Sequence, residues 1–177
     1  MKQQKPIIFL TLVGIIAGMY TALTLCFAPL GFGLVQCRFS EALTVLAAFT
    51  PAAVPGLTIG CVVSNLIGLS MGANPAGALD VLLGAVATGV SAWLSWRWRD
   101  RRIKGLPVLS TLPPVLLNAV IIGAELACLS PVFSVKVLLV QMGLVFAGQA
   151  VACIGGGLLL AKTLQMTGLE KRISPSF

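Results

Sequence analysis

Glu41, Asp80 and Glu125 are three of only five acidic residues in a 177-residue chain that contains no histidine, and each falls within or beside an apolar run. A charged side chain near the centre of a bilayer costs at least about 2.5 kcal/mol, so such groups normally face a cavity, a partner or a ligand. Arg38 stands one helical turn before Glu41 on the same face. Asn65, Asn118 and Gln141 add amide groups, and Asn118 precedes Glu125 by seven residues on one helical face. Carboxylates, amides and a guanidinium in this setting can hold a cationic or donor-rich solute, or they can carry protons. Catalysis is not indicated. Without histidine there is neither an HExxH motif nor a Ser/His pair, the serine and lysine positions suggest no dyad, and no catalytic or metal-ligating residue is assigned.

The elements that must position these groups follow from composition. The chain is 58% hydrophobic and 10% charged, with a mean hydropathy of +1.01. Apolar segments recur at Pro6–Phe27, Gly33–Phe49, Ala52–Leu69, Leu79–Trp96, Pro113–Leu129 and Val135–Ala161. A helix needs about 20 residues to cross a hydrocarbon core of ~30 Å, so six spans account for nearly all of residues 1–177 as one integral-membrane domain. The fold class expected is therefore all-α and polytopic, with no self-contained ATPase domain. The long apolar run after Lys2 and Lys5 lacks a clear small-x-small cleavage site, and a retained first helix is expected.

The twelve bases set the orientation. Lys2 and Lys5 precede span one, Arg97, Arg99, Arg101, Arg102 and Lys104 follow span four, and Lys162, Lys171 and Arg172 follow span six. With six spans all three groups fall on one side, which the positive-inside rule makes cytoplasmic together with both termini. The formal charge of +7 thus marks topology and not a nucleic-acid surface. Five spans would put the WRWRDRRIK cluster outside, so Pro51 and Pro55 are read as a tight cytoplasmic turn between spans two and three. Trp93, Trp96 and Trp98 beside the arginines read as an interfacial belt. Cys26, Cys37, Cys61, Cys128 and Cys153 show no metal spacing and read as packing residues.

In this topology the outer loops lie at about residues 28–33, 70–78 and 129–134, and the polar groups of five helices fall at similar depth on the outer side. Each has a local reading as well: an intrahelical ion pair for Arg38 with Glu41, and a helix N-cap for Asp80 after the PAGAL turn. Glu125 has no basic neighbour at helical spacing, so it needs a partner from another helix, water or a ligand. Gly14, Gly18 and Ala22 recur every four residues in span one, a small-residue stripe that serves either internal packing or docking to another subunit.

The strings VQCRFSEALTVL (Val35–Leu46), TPAAVPGLTIGCVVSNLIG (Thr50–Gly68), ALDVLLGAVAT (Ala78–Thr88) and LPPVLLNAVIIGAEL (Leu112–Leu126) resemble the QueT family. These are substrate-binding S components of energy-coupling factor (ECF) transporters, assigned to queuosine precursors. The likeness runs in order over residues 33–130; Ala47 stands where a proline is expected and Cys128 where an aromatic is expected. The resemblance implies a multi-pass plasma-membrane protein that binds its solute from outside, then works with a transmembrane coupling subunit and two cytoplasmic ATPases. ATP is used by those partners and no cofactor belongs to this chain. Gly14, Gly18 and Ala22 match the place of the coupling stripe, with glycine replacing the first alanine of the AxxxA form.

A 7-deazaguanine presents N1–H and an exocyclic amine on one edge, a donor pair that a carboxylate accepts in bidentate fashion, and its carbonyl needs a donor. The 7-aminomethyl form adds a cation. Glu41, Asp80 and Glu125 with Arg38, Asn65, Asn118 and Gln141 meet these requirements, and Phe39, Phe32 or Phe133 can stack on the ring. The rival reading is a stand-alone secondary transporter of a small cationic or purine-like solute, in which one of the three acids carries the coupling proton.

Overall fold

A computed structural model describes residues 4–31, 37–74 and 76–173. Lys2 and Phe32 lie outside the described residues. The described chain is helical, apart from one isolated bridge between Ile103 and Leu106. The helices are α1 (Gln4–Cys26), α2 (Ala28–Gly31), α3 (Ala53–Ser70), α4 (Ala78–Arg97), α5 (Leu112–Cys128), α6 (Val135–Gln149), α7 (Gly157–Met166) and α8 (Glu170–Ile173), with 3-10 helices at Phe39–Ala48 and Val108–Thr111. A π-helical stretch, Ala150–Gly156, joins α6 to α7 in one rod.

Among the described residues, five segments are long and apolar enough to cross a membrane: Pro6–Cys26, Ala53–Ser70, Ala78–Arg97, Val108–Cys128 and Val135–Met166. They correspond to five of the six expected spans. The remaining one, expected at Gly33–Phe49, takes a different form: its described part is the ten-residue 3-10 helix Phe39–Ala48. At about 2.0 Å per residue this covers roughly 20 Å, two-thirds of a hydrocarbon core. It is also the centre of the molecule, touching α1, α3, α4, α7 and the π stretch, with eight of its ten residues buried. Its apolar composition therefore reflects burial inside the bundle, and Glu41 enters the core on it. Thr44 bonds back to the Glu41 carbonyl at 2.7 Å, a local i to i−3 contact that suits the tight coil. The turn read at Pro51 is present at residues 49–52, whereas Pro55 lies in the first turn of α3, where the absent N–H costs nothing.

Helix α1 packs on α3, α3 on α4, α4 on α5 and α5 on α6. Gly56 and Gly60 of α3 set the approach to α1. A Cβ at Gly60 would lie 2.8 Å from the Tyr20 Cβ and 2.9 Å from the Ala17 carbonyl oxygen, and one at Gly56 would lie 3.0 Å from the Val13 carbonyl oxygen. This glycine pair, four residues apart, lets the backbones of α1 and α3 meet. Gly14 and Gly18, in contrast, have nothing within 4 Å of an added Cβ, and with Ala22 they lie on the exposed face of α1. Between the two readings of that stripe, internal packing goes to α3 and the α1 stripe stays open. Gly60→Val is expected to destabilise the detergent-solubilised protein by about 1–3 kcal/mol through overpacking, with Gly14→Val close to neutral. Thermal unfolding of the two variants checks this contrast.

Candidate functional site

The three acids converge on one buried polar cluster. Asp80 is the third residue of α4, and the N-cap position expected for it is filled by Gly77. Its Oδ2 accepts from the Arg38 guanidinium at 2.5 Å and from Asn74 Nδ2 at 2.8 Å, while its backbone carbonyl accepts from Asn65 Nδ2 at 2.8 Å. Arg38 is 2% exposed and also donates Nε to the Gly31 carbonyl at 3.3 Å. Arg38 therefore ties the short helix to α4, instead of serving only Glu41 one turn on. Its backbone explains this: as the N-cap of the 3-10 helix it is extended, φ −87° and ψ 98°, so its side chain leaves the helical face that Glu41 occupies. Gly84, one turn along α4, leaves space for these groups, since a Cβ there would lie 2.8 Å from Asn65 Nδ2 and 3.3 Å from an Arg38 nitrogen.

Glu41 is fully buried among different partners. Its Oε1 accepts from the Tyr20 hydroxyl of α1 at 2.6 Å and from Thr88 Oγ1 of α4 at 2.7 Å. Tyr20 is itself wholly buried and is the only tyrosine of the chain. Cys61 lies between the two halves of the cluster, its sulfur 3.5 Å from Thr88 Oγ1, 3.7 Å from Asn65 Nδ2 and 3.9 Å from Arg38. Cys153 of the π stretch points its thiol to the Glu41 carbonyl at 3.6 Å and to Gln149 Oε1 at 3.4 Å. Two of the five cysteines, read as apolar filling, are thus soft members of a polar network.

Glu125 completes the group from α5. It is 3% exposed and within electrostatic range of Asp80 and Arg38. No donor among the described residues reaches either of its carboxylate oxygens, and the same holds for Glu41 Oε2, Asp80 Oδ1 and Asn65 Oδ1. Five buried acceptor oxygens therefore face a cluster whose buried base, Arg38, is already engaged with Asp80. An unpaired buried acceptor costs about 1–3 kcal/mol, more when charged, and an N–H donor or a cation brought in from outside would satisfy each of these groups.

The other expected contacts are placed less centrally. Asn118 is buried on α5 but donates to the Pro114 carbonyl of its own helix at 2.9 Å. Gln141 lines a depression of about 500 Å³ with Lys136, Val137 and Val140. Phe39 packs at a tilt on Phe27, ring centroids 5.0 Å apart, and Phe133 is 60% exposed. Tyr20, Asn74, Thr88 and Gln149 are the contributors that a search for charges misses. A lone tyrosine in the middle of an apolar span, and hydroxyls and amides spaced along such spans, are the signals that mark them.

A family model described as QueT transporter matches residues 10–166. The chain belongs to the QueT transporter family. Membership makes it a membrane transport protein, which accords with its five apolar helices of crossing length and agrees with the resemblance of residues 33–130. No curated protein and no solved structure matches the chain.

Proposed function

We propose that this QueT-family protein is the solute-binding S component of an ATP-driven ECF importer in the plasma membrane, and that its solute is a 7-deazaguanine precursor of queuosine. One observation carries the substrate class: around the buried base Arg38, three buried carboxylates leave four oxygens, and the Asn65 amide a fifth, without a donor among the described residues. The matching ligand brings N–H donors and positive charge. Glu125, with both oxygens open, takes the N1–H and exocyclic amine pair; Glu41 Oε2 and Asp80 Oδ1 accept from the aminomethyl ammonium. The Asn65 amide and Arg38 stand beside them, where the base carbonyl needs a donor. This selection favours 7-aminomethyl-7-deazaguanine over the 7-cyano form, which lacks the cation.

Binding also lets the acids be tolerated at depth, because charge-assisted hydrogen bonds replace the hydration they lose. In this reading the fold has six membrane segments, the central one shortened, with both termini in the cytoplasm. The open face Gly14, Gly18 and Ala22 of α1 docks the transmembrane coupling subunit, whose two ATPases supply the energy.

The test is uptake of labelled 7-aminomethyl-7-deazaguanine into vesicles that hold this chain with or without the coupling subunit and ATPases. ATP-dependent uptake only in the complete set is expected. Uptake by this chain alone that follows a proton gradient contradicts the proposal and returns the acids to proton carriage.

A further inference from the structure

At the end of the bundle opposite the acid cluster, the basic connection after α4 meets the end of the α6–α7 rod: Gln165 Nε2 donates to the Gly105 carbonyl at 3.0 Å. Beside this junction is a cavity of about 340 Å³ lined by Ala48, Phe49, Arg102, Glu170 and Lys171. The Arg102 guanidinium lies 5.4 Å above the Phe49 ring, which holds a flexible side chain at the cavity wall. A second, apolar groove of about 150 Å³ is lined by residues that include Leu46, Thr50, Leu160, Leu164 and Ile173. The two hollows are neighbours in the chain at Phe49 and Thr50, and again at Lys171 and Ile173. A charged cavity adjoining an apolar groove, in a membrane protein, matches the two parts of a phospholipid.

We propose that this end of the protein binds one anionic phospholipid of the phosphatidylglycerol type. The phosphodiester lies between Arg102 and Lys171, and one acyl chain runs along the groove past Leu46, Leu160 and Leu164. Two bases against one acid leave the cavity net positive, which favours a headgroup carrying net negative charge over a zwitterion. Glu170 does not oppose this, because a glycerol headgroup offers hydroxyls that donate to its carboxylate. Arg99, Arg101 and Lys104 on the same connection extend the positive field toward the leaflet, as juxtamembrane basic clusters do. This inference uses none of the residues assigned to the solute, so it stands or falls separately from the transport reading.

The test is native mass spectrometry of the full-length protein in detergent, titrated with dioleoyl phosphatidylglycerol, with chain-matched phosphatidylcholine and with inorganic phosphate. One phosphatidylglycerol is expected to be retained in preference to phosphatidylcholine. Retention should weaken by about tenfold to thirtyfold in Arg102→Ala/Lys171→Ala, at about 1 kcal/mol for each base. Lys171→Glu, a single change at an exposed position of the short helix α8, should weaken it as well. Equal retention of the two lipids, or unchanged retention in both variants, overturns the proposal. So does displacement of the lipid by inorganic phosphate at equal concentration, which would reduce the site to a simple anion pocket.

Discussion

Glu125→Gln is expected to weaken binding of 7-aminomethyl-7-deazaguanine by about a hundredfold or more while raising the thermal stability of the empty protein. The two effects have one cause. The Glu125 carboxylate is almost completely buried and receives no donor among the described residues at either oxygen, so no hydrogen bond ties its charge to the fold. Neutralising an uncompensated buried charge removes a desolvation cost of several kcal/mol, and part of that returns as stability. The ligand loses more. A charge-assisted bidentate contact is replaced by an amide whose NH2 faces the ligand's own donors, a loss of about 3 kcal/mol, or roughly a hundredfold. Glu41→Gln should also weaken binding but without the gain in stability, because Glu41 Oε1 already accepts from Tyr20 and Thr88. Calorimetry and a thermal shift assay on the same purified variants separate these outcomes. A Glu125→Gln protein that is less stable and binds normally would mean that the carboxylate serves the fold.

Arg38→Met is expected to produce the largest loss of stability of any single change in the cluster. Arg38 joins the central 3-10 helix to α4 through Asp80, and both side chains are excluded from solvent. Removing one partner of a buried ion pair strands the other charge, at a cost of about 3–5 kcal/mol. Asn74 then remains as the donor to Asp80 Oδ2, and a neutral amide does not balance a carboxylate. The second change Asp80→Asn removes the stranded charge, so the double variant Arg38→Met/Asp80→Asn should recover much of the loss. Unfolding of the four proteins in detergent, taken as a double-mutant cycle, measures the coupling. Additive losses would show that the two side chains act independently.

The five long helices were legible because lipid leaves few options: a backbone in hydrocarbon must satisfy its own hydrogen bonds, so an uninterrupted apolar run of crossing length becomes a helix. The expected Pro6–Phe27 and Leu79–Trp96 differ by a residue or so from the crossing segments Pro6–Cys26 and Ala78–Arg97. Hydropathy could not separate a helix that faces lipid from one buried inside the bundle, and Gly33–Phe49 is as oily as its neighbours. Only packing distinguishes it. Nor does sequence spacing reveal that Arg38 lies one residue outside the coil, and that single extended residue redirects its guanidinium to Asp80. The small-residue signal was similarly ambiguous. Gly14 and Gly18 are spaced like Gly56 and Gly60, yet only the second pair touches another helix.

The site was legible in its charged members and not in its neutral ones. Acids in an apolar chain stand out by cost, whereas Tyr20, Thr88 and Asn74 are cheap to place and become significant only when the fold aims them at Glu41 and Asp80. The notable product of the structure is a ledger of donors and acceptors: it shows which carboxylate oxygens the protein uses for itself and which it leaves open.

That ledger is tested most directly by calorimetric titration of the detergent-purified wild-type protein with 7-aminomethyl-7-deazaguanine, 7-cyano-7-deazaguanine, queuine and guanine. The arrangement of open acceptors predicts tight binding of the aminomethyl compound, weaker binding of the 7-cyano form, which shares the donor edge but lacks the cation, and the weakest for guanine. Absence of heat with all four compounds, or guanine binding as tightly as the aminomethyl form, would contradict it.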